Sequence, residues 1–64
     1  MQKMKFPKGN GPIMGFEPYF EKLVQVGTVH EGELWFSHGY YPPHKYGKKM
    51  VKFARKNNLK HNTN

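Results

Sequence analysis

Between Lys45 and Lys56 the chain divides into two chemistries without overlap. At the roughly 100° per residue of an α-helix, Phe53, Tyr46, Met50, Ala54, Gly47 and Val51 fall in one continuous arc. Arg55, Lys48, Lys52, Lys45, Lys56 and Lys49 fill the other side. The segment reads as an amphipathic helix whose apolar arc needs a core to rest on. Pro43 suits a position at or before its first turn, Arg55 and Lys56 complement the negative end of the dipole, and Asn57-Asn58 supplies a stop.

What such a helix can rest on is limited by the rest of the chain. With 64 residues it forms one domain at most, and folding would bury only about 60% of the surface that the unfolded form exposes. There is no cysteine, so neither a disulfide framework nor a Cys-based zinc site can staple it. The core must come from one Trp, four Tyr, five Phe and a few aliphatic residues. Trp35, Phe36, Tyr46 and Phe53 are the expected core aromatics.

A β-hairpin is the expected partner. A two-residue turn at Glu31-Gly32 pairs His30 with Glu33, Thr28 with Trp35 and Val26 with Ser37 on one face, and Val29 with Leu34 on the other. The hairpin runs over about residues 25–38 and ends at Gly39-Tyr40-Tyr41-Pro42-Pro43, where two prolines cannot continue a ladder. A short helix over about 18–23 is expected before it, from Pro18 with Glu17 and Glu21. Pro7, Gly9, Gly11, Pro12 and Gly15 predict an irregular basic arm over 1–15, and the polar tail 59–64 is expected to fray. The resulting fold class is α+β: a hairpin packed on a C-terminal basic helix within a domain spanning 16–58.

Charge is equally lopsided. The chain carries 11 Lys and Arg against four Glu, a formal charge of +7. Before residue 34, Lys3, Lys5, Lys8 and Lys22 balance Glu17, Glu21, Glu31 and Glu33, so the whole excess lies in the second half. A one-sided field of this kind attracts polyanions. Lysines outnumber arginine five to one on the helix, which favours positioning of phosphates over reading of bases. The candidate binding residues are Lys45, Lys48, Lys49, Lys52, Arg55, Lys56 and Lys60, with Tyr40 and Tyr41 as stacking aromatics at the Pro-Pro turn.

The sequence points away from catalysis and from metal binding. It has no Asp and no Cys, Ser37 is its single serine, and Glu31 and Glu33 belong to a solvent-exposed turn and not to an enclosed acid/base site. Gly9, Gly11 and Gly15 follow no expected strand, so they do not form a nucleotide loop. The histidines offer no tetrahedral ligand set and are read as added charge or phosphate partners. The longest apolar run is Leu34-Trp35-Phe36, and a soluble, intracellular, cytoplasmic protein is expected. The expectation is a non-enzymatic protein without cofactor that binds nucleic acid, RNA before DNA, or joins a ribonucleoprotein. The alternatives are an inhibitor or adaptor of the phage type docking on an acidic host protein, and a peripheral structural subunit of a large complex.

Overall fold

The computed structural model describes residues 4–61 of the chain. Five strands, β1 (Met4–Lys5), β2 (Gly11–Glu17), β3 (Lys22–His30), β4 (Glu33–Phe36) and β5 (Lys60–His61), form one sheet in sequential order. One helix, α1 (Lys45–Lys56), lies between β4 and β5 in the chain. The first four strands are antiparallel neighbours, and β5 runs parallel to β4. The α+β class is as expected.

The β3–β4 hairpin follows the expected register, with His30 opposite Glu33, Val29 opposite Leu34 and Thr28 opposite Trp35. Glu31 (φ 47°) and Gly32 (φ 80°) both take positive φ, the requirement of the tight turn whose twist matches that of the strands. The Ser37 amide donates to the Val26 carbonyl at 2.9 Å and extends the pairing by one step.

Three segments differ from the sequence reading. The stretch 4–15 is not an irregular arm, because β1 and most of β2 lie within it. Its breakers sit where the sheet tolerates them: Pro12 lies beyond the reach of β1, which pairs only with Gly15 and Met14. Lys3, counted among the cations of that arm, lies outside the described residues. The expected helix at 18–23 is a four-residue turn between β2 and β3, closed by Phe20 N–H to the Glu17 carbonyl (3.1 Å) and Glu21 N–H to the Pro18 carbonyl (3.2 Å). Pro18 fits the first turn of a helix and the start of a β-turn equally well, and Glu21, at φ 54°, turns the chain back into β3. Finally, Lys60–His61 of the expected tail form β5.

Every element except β5 contributes to one core: Met4, Ile13, Val26, Val29 and Leu34 from the sheet, and Tyr46, Met50 and Ala54 from the helix. Each large apolar side chain fully buried there stabilises by roughly 1.5–3 kcal/mol. A β-bulge keeps β3 loyal to this core. Ile13 pairs with Gly27 and Met14 with Gln25, so Val26 is the extra residue. The alternation of β3 shifts by one there, and Val26 and Val29 are both buried in the core although they are three positions apart.

Candidate nucleic-acid interface

The helix begins at His44, whose Nδ1 accepts a hydrogen bond from the Tyr46 amide at 3.0 Å. This satisfies one of the amides that a helix start leaves without a partner. It ends where expected. Asn58 takes φ 57°, and the Leu59 amide donates to the Ala54 carbonyl at 2.8 Å, turning the chain toward β5.

Packing fixes which side of α1 faces outward. Tyr46, Gly47, Met50 and Ala54 are buried, so Lys45, Lys48, Lys49, Lys52, Arg55 and Lys56 all project from the opposite side and are exposed. The twelve residues make a rod about 18 Å long. Among the described residues no Lys or Arg forms an ion pair with a carboxylate; the one ionic contact joins His30 and Glu31, 3.7 Å apart at an exposed turn. The glutamates lie at the two ends of the sheet, around the β2–β3 turn (Glu17, Glu21) and the β3–β4 turn (Glu31, Glu33). Lys60 lies exposed on β5, four residues beyond the last helical lysine.

The two turn tyrosines have different surroundings. Tyr41 is 40% exposed, with its ring near Phe36 (6.1 Å) and His38 (6.3 Å). Tyr40 is half-buried, in ring contact with His44 (5.0 Å) and Tyr46 (6.3 Å), and its hydroxyl donates to Glu17 at 3.3 Å. Burial, reinforced by the neighbouring Glu17 charge, holds its phenol above the usual tyrosine range. Tyr41 is therefore the freer of the two.

Trp35 departs from the expectation. Of the four aromatics assigned to the core, Tyr46 is buried and Phe36 and Phe53 pack against the core half-buried, but Trp35 is 48% exposed. Leu34 faces the helix, so the next residue on the strand faces away from it. The register itself contained this signal, since it set Trp35 opposite Thr28 and beside the polar His30/Glu33 pair.

Among the described residues no three His, Cys, Asp or Glu side chains gather as a metal site would require, and no helix is long and apolar enough to cross a membrane. Fold and surface together define a two-layer α+β unit, with one sheet face covered by a single cationic helix and the other left open by the described residues. No protein-family model, curated protein or solved structure matches the chain.

Proposed function

We propose that this is a small non-enzymatic nucleic-acid-binding protein, with RNA preferred over DNA, which uses the outer face of α1 to neutralise phosphates. The observation that carries the reading is the set of six exposed helical cations with no carboxylate partner among the described residues. Like charges at i,i+4 repel and cost a helix a few tenths of a kcal/mol per pair, so a surface kept uniformly cationic fits a role in binding anions better than a role in stability. Lys60, exposed on β5, and Tyr41, 40% exposed ahead of the helix, are the remaining candidate contacts. A cytoplasmic location belongs to the same reading.

The test is a salt-dependent titration of the wild type and a Lys48→Glu/Lys52→Glu/Arg55→Glu variant against RNA, duplex DNA and heparin. Neutralising about five phosphates predicts a log-log slope of roughly minus 3 to minus 5, and a loss of at least tenfold in the variant. A flat salt response would sink the reading.

One observation favours a second reading, docking on a protein. Tyr19 (85% exposed) and Phe20 (58%) stand at the β2–β3 turn between Glu17 and Glu21, where phosphates would be repelled. Recovery of one defined protein without nucleic acid, abolished by Tyr19→Ala/Phe20→Ala and retained in the triple variant, would decide for it.

A further inference from the structure

We infer that the open face of the sheet carries a second subsite, a recess beside Trp35 that takes one unpaired base of a single-stranded RNA whose backbone lies along α1. The inference rests on the helix-face reading and specifies it: the preferred ligand becomes a single strand and not a duplex.

A recess of about 370 Å³ is lined by Glu33, Leu34, Trp35, Lys60 and His61, at the edge where β4 meets β5. This lies within the range of roughly 300–1,000 Å³ typical of small-ligand pockets, and is ample for one nucleobase. Its wall combines three chemistries that a nucleotide uses. The half-exposed indole offers a stacking surface, which any base can use because every base has a π-face. Lys60 supplies a cation for the adjoining phosphate. Glu33 lies opposite Lys60 in the β4–β5 register and offers a carboxylate to accept from an exocyclic amine, which favours cytosine, adenine or guanine over uracil. His61, opposite Leu34 in the β4–β5 register, completes the lining.

The path between the two surfaces is short. The chain leaves α1 at Lys56, turns through Asn57, Asn58 and Leu59, and enters β5 at Lys60. Arg55, Lys56 and Lys60 thus mark a cationic route from the helix, around the sheet edge, to the recess. A flexible single strand can follow that bend. A stiff duplex on the helix could not bring a base to Trp35, because its bases are paired and stacked inside.

Occupation of the open face by a second copy is disfavoured by its own chemistry. His30, Glu33 and Lys60 form a polar row across β3, β4 and β5 beside Trp35, and Lys5 stands beside Met14 on the same face. An apolar dimer would have to bury these groups.

Trp35 is the single tryptophan, so its emission reports on the recess directly. The experiment titrates wild type, Trp35→Ala, Trp35→Phe and Lys60→Gln with single-stranded oligoadenylate, oligocytidylate and oligouridylate of about 12 nucleotides, and with duplex RNA of the same length. Binding is read by anisotropy of labelled RNA and by tryptophan emission, with melting by circular dichroism as the folding check. The expected result is quenching by single strands and not by duplex, strongest with adenylate or cytidylate. Trp35→Ala should weaken single-strand binding on the order of tenfold with the salt slope unchanged, and Trp35→Phe should retain most of it. Lys60→Gln should flatten the slope by about one.

RNA binding with unchanged emission, or equal affinity in Trp35→Ala, overturns the subsite and leaves the helix reading standing. No binding by anisotropy overturns both. An emission shift that tracks protein concentration without RNA, accompanied by dimer in sedimentation, assigns the face to a second copy and overturns the subsite.

Discussion

The ring of Tyr46 occupies the space that a side chain at Gly15 would need: a Cβ there would lie 2.9 Å from Cε2 of the ring. The Tyr46 hydroxyl reaches past Gly15 and donates to the carbonyl of Phe16, so the first turn of α1 is held to β2 by both contacts. Gly15→Ala should destabilise by about 1–3 kcal/mol, because the buried ring has no free space to move into. Tyr46→Phe should cost about 1 kcal/mol. Urea midpoints at unchanged slope measure both.

Gly47 serves the other side of the same turn. A Cβ at this position would come within 2.5 Å of the Pro42 nitrogen, 2.6 Å of the Tyr41 carbonyl carbon and 2.7 Å of the Tyr40 oxygen, all of them backbone atoms that cannot rotate away. Helix propensity favours Ala over Gly by about 1 kcal/mol. The clash should outweigh it, so Gly47→Ala is expected to lower the Tm, with a net loss of about 1–3 kcal/mol. A higher Tm would mean that the 40–42 loop does not rest on the helix.

His44 caps α1 through Nδ1. His44→Ala should remove that acceptor and cost about 0.5–1 kcal/mol, whereas His44→Asn or His44→Asp should retain most of the stability. Hydrogen exchange at the Tyr46 amide is the local measurement, and it should speed up in the Ala variant alone.

The raised pKa of Tyr40 gives stability an alkaline limb. A phenol held protonated by burial and by Glu17 ionises later in the folded chain than in the unfolded one, where the value is about 10. Its contribution is present in full below that pH and is lost as pH rises through the raised folded value. Thermal melts from about pH 8 to pH 11 should show Tm falling at the alkaline end, and less steeply in Tyr40→Phe. An identical alkaline limb in the two proteins would contradict this.

If the helix face neutralises phosphates one by one, single substitutions should behave additively. Lys48→Gln and Lys52→Gln should each flatten the log-log salt slope by about one and weaken RNA of every sequence alike. Sequence-dependent losses would place these lysines at bases instead.

The helix and the β3–β4 hairpin were legible in the sequence because each carries its own period and its own punctuation. Apolar and cationic residues separate cleanly over 45–56, and Glu31-Gly32 interrupts a run of alternating pairs, so local sequence sufficed for the helix and for the hairpin register, although β3 begins at Lys22 and not near residue 25. The β1–β2 segment was not legible. Its glycines and prolines count against strand in any local reading, yet two of them fit sites that another element creates: Gly15 beneath Tyr46, and Pro12 where β1 no longer pairs. Pro18 was ambiguous for a different reason, since a type I turn and the first turn of a helix share nearly the same backbone angles.

The candidate surface divides along the same line. Sequence alone determined that the excess positive charge lies after Glu33 and falls on one side of a helix, because helical geometry converts spacing into direction without reference to anything else. Tertiary structure decided which side of the sheet that helix covers, and therefore that Trp35 stands in the open beside Lys60 while Tyr40 is drawn half inside against Glu17. Those outcomes depend on strand order, on the bulge at Val26 and on the parallel return of β5, contacts between residues far apart in the chain that no local period records.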